Sequence, residues 1–174
     1  MTREQLEHAI RASCDVTRDH DVWVFGSQAI LGEHPDAPET LRQSAEADIA
    51  PRNFPERYEL LDGALGELSL FHRTHGFYVH GIPIETATLP EGWEARAVAV
   101  SGRGSEPATG WCLESHDLTA SKLVAFRQKD RAFVRTLVRE GLVDPSTLIQ
   151  RIGSLPVGGA EKSRLERWVR ATAT

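Results

Sequence analysis

Arg42-Gln43-Ser44-Ala45-Glu46-Ala47-Asp48-Ile49-Ala50-Pro51 is the stretch whose reading decides the fold and the chemistry, taken together with Gly26-Ser27 upstream. Pro51 closes an extended-looking segment. Side chains alternate faces along a strand, so Ala45, Ala47 and Ile49 share one face while Glu46 and Asp48 share the other, about 6.5–7 Å apart along the backbone. Two carboxylates aimed at one spot repel each other unless a cation sits between them. Hard divalent cations such as Mg2+ are held in this way, by one or two carboxylates, several waters and substrate phosphate oxygens. A solvated polar face on an edge strand gives the same pattern, so the pair needs its context. Gly26-Ser27 supplies some of it. The dipeptide breaks the apolar run Val22-Trp-Val-Phe25 just before Gln28-Ala-Ile-Leu31. A strand-to-helix turn leaves backbone N–H groups for phosphate, glycine lets the backbone approach closely, and a serine hydroxyl adds a hydrogen bond.

Outward from this centre, Thr2 to Gln5 has the capping-box pattern and opens a helix over about 3–18. Strands are expected at 22–25, 44–50, Phe77 to Glu85 (despite Pro83), Ala95 to Val100 and Gly110 to Leu113, the last two separated by a Gly-Ser turn region near Gly104. A polar loop with two prolines fills 33–41, and helices are expected at 55–66, 117–140, 145–152 and 160–171. Asp144-Pro145 suits a helix start, with Asp as cap and Pro at the first helical position. The order predicts an α/β (α+β) chain: a mixed β-sheet flanked by helices over 1–116 and a helical C-terminal lobe over 117–174, packed as one unit.

Other residues join the candidate site by chemistry. Glu85, after an apolar strand, is a candidate third carboxylate, since three acids around one or two cations suit phosphoryl or nucleotidyl transfer. Lys122 shares a helix side with Leu118 and Ala125 or Phe126, which directs it toward a site or leaves it snorkelling along an amphipathic helix. Lys129 falls on the same side if that helix is continuous. Arg42 can fork onto phosphate oxygens. His72-x-x-His75 and Cys112-x-x-x-His116 lack a second pair and do not make a structural zinc site. No Gly-x-Ser-x-Gly elbow argues for a serine hydrolase.

Composition sets the class. The 174 residues suffice for one domain with a core. No apolar run reaches the roughly 20 residues that span a bilayer, and Met1-Thr-Arg-Glu-Gln-Leu6 lacks a signal peptide's apolar segment, so a cytoplasmic protein is expected. Cys14 and Cys112 form no redox or metal pair and are read as reduced thiols. The net charge of -5 is unevenly spread: residues 1–116 hold 9 Lys+Arg against 19 Asp+Glu, residues 117–174 hold 11 against 6. The acidic part repels a polyanion, and the basic part permits a local contact to nucleotide or RNA or simply solvates helix faces.

These motifs, in this order, resemble the nucleotidyltransferase (DNA polymerase beta-like) superfamily over about residues 20–140. Within it the chain looks like the group of AbiEii-type toxins of type IV toxin–antitoxin systems and related bacterial proteins of unassigned function. The elements that carry the resemblance are Gly26-Ser27, Glu46-x-Asp48, a later acid at Glu85, Arg42-Gln-Ser44, and a downstream Lys122 with Lys129-Asp130. The resemblance implies that Gly26 and Ser27 hold the β/γ-phosphates of a nucleoside triphosphate (NTP). It implies that Glu46, Asp48 and Glu85 ligate Mg2+, and that Arg42, Lys122 and Lys129 neutralise triphosphate charge. Glu85 or Asp130 would orient an acceptor hydroxyl. The implied acceptor is a tRNA end, a protein hydroxyl or a small molecule, and the implied partner is an antitoxin. A non-catalytic nucleotide- or partner-binding module on the same fold is the rival reading.

Overall fold

A computed structural model describes residues 1–102 and 107–173. The turn expected near Gly104 lies outside the described residues. Five strands form one mixed sheet: β1 (Asp21–Phe25), β2 (Glu46–Pro51), β3 (Tyr78–Gly81), β4 (Val98–Val100) and β5 (Thr109–Cys112), in the order β3-β2-β1-β5-β4. β2 runs antiparallel to β1 and parallel to β3, whereas β5 runs parallel to β1 and antiparallel to β4. The mixed sheet flanked by helices, with a helical C-terminal part, is the predicted fold class.

Helix α1 (Arg3–Thr17) begins where the capping box places it. Thr2 accepts the Gln5 N–H at 3.2 Å and Gln5 Oε1 accepts the Thr2 N–H at 2.8 Å. Its buried Leu6, Ala9 and Ile10 cover one sheet face, and Gly110 of β5 permits this contact because a Cβ there would lie 2.4 Å from Ile10 Cδ1. α2 (Tyr58–Leu65) covers the same face over Gly81, whose Cβ would meet the Tyr58 carbonyl at 2.2 Å. Val24, Ala47, Ile49 and Val79 point into this layer and are fully buried.

The opposite face of β2 carries Glu46 and Asp48, and the C-terminal helices lie on that side. Those helices are α4 (Ser115–Ala125), α5 (Gln128–Arg139), α6 (Pro145–Gly153) and α7 (Gly159–Thr172). Asp144 caps α6 through the Thr147 N–H at 2.8 Å with Pro145 at the first position, as the sequence predicts.

Local differences from the sequence reading have physical causes. β3 ends at Gly81 rather than Glu85, because Pro83 has no N–H for the ladder, and Ile84–Thr86 instead form a 3-10 turn. Helix α3 (Leu70–His75), capped by Ser69, was not anticipated. The helix expected over 117–140 is two helices. Phe126 adopts φ +50, a left-handed conformation that costs a non-glycine residue about 1–2 kcal/mol. Its ring lies against Trp168 of α7, with centroids 5.9 Å apart, so tertiary packing decides the break.

The helical lobe is tied to the sheet by a buried ion cluster. Asp117 of α4 is fully buried, accepts a hydrogen bond from Arg96 Nε at 2.7 Å and ion-pairs with Arg151 of α6, whose Nε lies 3.2 Å away. Removing the acid leaves two partly buried guanidinium groups uncompensated. Asp117→Asn is expected to destabilise the fold by about 3 kcal/mol in urea unfolding; a loss under about 1 kcal/mol would mean solvent already compensates both arginines.

Candidate functional site

The register of β2 with β3 assembles the site. Glu46 sits opposite Tyr78 and Asp48 opposite His80, so four polar side chains share one face of two adjacent strands. Tyr78 donates its hydroxyl to Glu46 Oε2 at 2.7 Å. His80 Nδ1 lies 3.1 Å from Asp48 Oδ1 and 3.7 Å from Glu46 Oε1. One ligand-capable atom from each of Glu46, Asp48 and His80 lies within 4.8 Å of the others, a group able to hold a metal ion. Asp48 is 21% exposed and His80 43%, so the cluster opens to solvent on one side.

Gly26 makes room for this cluster. It has φ +67, and a Cβ built on it would fall 1.9 Å from Asp48 Oδ2. Phe25 pairs directly with Asp48, so the turn after β1 lies against the acid. Ser27 opens a 3-10 turn, Ser27–Gly32, where the sequence suggested the start of a helix; its hydroxyl accepts from Gln28 Nε2 at 3.3 Å.

Two adjoining clefts meet at Asp48, Ile82, Lys122 and Arg127. The larger, about 670 Å³, is also lined by Ser27, Ser44, Glu46, His80, Lys129 and Asp130. The smaller, about 390 Å³, is lined by Gly26, Thr86, Thr88, Leu118 and Ser121 among others. Lys122 therefore stands between them. Its Nζ lies 4.9 Å from the Phe133 ring centroid, and no carboxylate approaches it within 4.0 Å among the described residues. Burial lowers its pKa, opposed by the charges of Asp130 and Asp48. A partly dehydrated cation without a close counter-ion is available to an anionic ligand.

The acids carry the complementary strain. Burial, then repulsion from Glu46, pushes the Asp48 pKa up to about 6, while His80 pulls the other way. The hydrogen bond to Glu46 pushes the Tyr78 phenol well above its ordinary value, so it stays a donor that orients Glu46.

The structure thus brings together Gly26, Ser27, Glu46, Asp48, Lys122, Lys129 and Asp130 around adjoining clefts. Three of the expected roles are revised. Glu85 is exposed on the turn after β3 and lines neither cleft, because β3 ends four residues before it; His80 stands third beside the two acids. Arg42 turns away: its Nε bonds the Ala37 carbonyl at 2.5 Å, and it lines neither cleft. Arg127 occupies a place in both clefts instead. Asp130 is 2% exposed and accepts both the backbone N–H of Arg127, at 3.2 Å, and its Nε, at 2.7 Å. Its oxygens position Arg127 at the cleft. Lys129 lies on α5, not on a continuation of the helix bearing Lys122.

His80 and Arg127 escaped the sequence reading. Tyr78-Val79-His80 alternates polar and apolar like Glu46-Ala47-Asp48, which is the signal that could have placed His80 beside the acids. Arg127 sits in the unanticipated helix break and had none. No protein-family model, curated protein or solved structure matches this chain.

The Asp48 shift has a sign that thermal unfolding can read. Its pKa is 3.8 in a free chain and about 6 when folded, so its contribution to stability is complete below about pH 4 and lost as pH rises through 6. In a divalent-metal chelator, Asp48→Asn is expected to be more stable than the parent at pH 8 by about 1–2 kcal/mol, the gap closing near pH 4. A variant less stable than the parent at pH 8 would show that the His80 contact outweighs burial and repulsion together. Gly26→Ala is expected to displace the Asp48 carboxylate and weaken Mn2+ binding by calorimetry roughly tenfold or more; parental affinity would show that Asp48 tolerates the methyl.

Proposed function

We propose that this chain is a divalent-metal-dependent nucleotidyltransferase of the DNA polymerase beta-like kind, moving a nucleoside monophosphate from an NTP to an acceptor hydroxyl. The observation that carries this reading is the convergence of Glu46, Asp48 and His80 at the junction of two clefts that also hold Ser27, Lys122, Arg127 and Lys129. The two carboxylates suit Mg2+ or Mn2+, and the imidazole tilts the set toward Mn2+ over Mg2+. The raised Asp48 pKa fits as well, since an ion between the acids would offset both their burial and their repulsion and favour the ionised carboxylate. A bound ion would offset triphosphate charge and draw electron density from the reacting phosphorus.

The remaining roles fall to the chain itself. Lys122, held between the clefts, meets phosphate oxygens whose charge grows as pyrophosphate leaves. Arg127, braced by Asp130, and Lys129 attract the triphosphate at the cleft rim. Ser27 offers its hydroxyl and the turn's backbone N–H groups at the inner wall. Tyr78, donating to Glu46, would hold that carboxylate in place for a bound ion. Catalysis is then positioning plus charge neutralisation. The resemblance adds a cytoplasmic toxin–antitoxin or defence role, with a tRNA, a protein or a small molecule as acceptor.

One observation favours a rival. His80 already contacts Asp48 at 3.1 Å, and an imidazolium there would substitute for a metal in a non-catalytic nucleotide-binding module. Calorimetry with each NTP, with and without Mn2+ or Mg2+, separates the two. Metal-dependent binding weakened roughly tenfold or more in Glu46→Gln is expected of the enzyme, and metal-independent binding unchanged in that variant supports the module. With a cell extract, label from an α-labelled NTP is expected to enter a macromolecule, whereas a γ-label is not; γ-label incorporation would mean phosphoryl transfer instead.

A further inference from the structure

The basic charge of the C-terminal lobe is not spread evenly over its surface. On α5, Arg131, Arg135 and Arg139 recur every four residues, so they form one row about 6 Å apart. On α7, Arg164, Trp168 and Thr172 recur in the same way. The two rows face each other. The Arg135 guanidinium lies 5.3 Å from the Trp168 ring centroid, and Arg131 and Arg164 lie 5.1 and 4.7 Å from that of Phe126. Between them runs a groove of about 490 Å³, lined by Arg135, Thr136, Arg139, Trp168, Ala171 and Thr172, with no carboxylate in its walls. Thr136 also lines the larger acid-bearing cleft, so the groove lies next to the candidate site.

The charges in this groove are available to a ligand. Among the described residues Arg135, in the groove wall, has no carboxylate within 4.0 Å; neither has Arg131, which lies one turn beyond the groove with its Nε buried. Arg139, in the wall, and Arg164, beyond it, pair among the described residues only with the surface acids Glu140, at 3.0 Å, and Glu161, at 3.2 Å. Exposed pairs of this kind are weak and exchange readily for phosphate. Exposed cations beside an aromatic ring, here Arg135 and Arg139 with Trp168, suit an unpaired nucleic acid strand, since a base has a face to stack and each linkage a charge to neutralise. The strongly acidic remainder of the chain repels a polyanion everywhere else and so confines it to this lobe.

We propose that the α5–α7 groove is the docking track for a single-stranded RNA, which enters along Arg139 and Arg135 and passes Thr136 to present its terminal hydroxyl to the acid cleft. The transfer half of this proposal rests on the nucleotidyltransferase reading. There the terminal oxygen bonds to the α-phosphorus, the bond from that phosphorus to the bridging oxygen of the β-phosphate breaks, pyrophosphate leaves, and the hydroxyl proton passes to solvent. Binding in the groove does not depend on that reading.

Fluorescence anisotropy with a labelled 15-nucleotide single-stranded RNA, a matching duplex and a poly-glutamate peptide tests the track across a range of salt concentrations. The single strand is expected to bind best. R135A/R139A, two exposed arginines outside the acid cleft, is expected to weaken it roughly tenfold or more and to reduce the salt slope by about 1.4, the share of two phosphate contacts on a single strand. NTP binding by that variant is expected to match the parent. RNA binding equal to the parent's in R135A/R139A, or no RNA binding by the parent at low salt, overturns the proposal. Poly-glutamate binding as tight as RNA overturns it in favour of an acidic protein partner. RNA binding lost in the variant while the parent fails to bind any NTP keeps the track and removes the enzymatic reading.

Discussion

The mutual repulsion of Glu46 and Asp48 is the constraint around which this half of the molecule is arranged. Both acids project from one face of β2, and neither can turn to the other face without exchanging places with Ala47 or Ile49, which are fully buried. The strand therefore holds two carboxylates together, and burial followed by that repulsion raises the Asp48 pKa. Neighbouring residues make that arrangement less costly. Tyr78 donates to Glu46, His80 approaches Asp48, and Gly26 leaves room where any side chain would collide with Asp48 Oδ2. A cation between the acids would relieve the rest. Sites that keep like charges close are where pKa values shift and where function is found.

The helical lobe completes what the sheet begins. Asp117, Arg96 and Arg151 tie α4 and α6 to the segment before β4. That anchorage holds Lys122 in the wall shared by the two clefts. The break at Phe126 then turns the chain so that Arg127, Asp130 and Lys129 come back along the cleft rather than continuing away from it. A straight helix would have carried those residues past the site. The same break brings α5 against α7 and aligns the arginine rows that run from the cleft along the lobe.

Much of this was legible in local sequence. The Thr2–Gln5 box, the Asp144-Pro145 start and the alternation through Ala45–Ile49 each act within a few residues, where propensity and periodicity operate directly. Three readings failed where a distant partner decided. Glu85 follows an apolar run, but Pro83 ends the ladder before reaching it. Arg42 looks like a phosphate ligand, but the Ala37 carbonyl captures it. Lys122 and Lys129 share a helical phase on paper, but Phe126 leaves the helix to pack against Trp168, more than forty residues downstream.

By itself, then, the sequence determined the strand carrying two acids on one face, the glycine turn ahead of it, the mixed fold class and the basic end of the chain, because periodicity, capping and charge are local properties. Only the tertiary structure decided which strand lies beside those acids, and hence that His80 rather than Glu85 stands third among them. It alone turned Arg127 into the cleft and set the α5–α7 groove beside it. Strand register and helix packing depend on contacts between residues far apart in the chain, and no local pattern contains them.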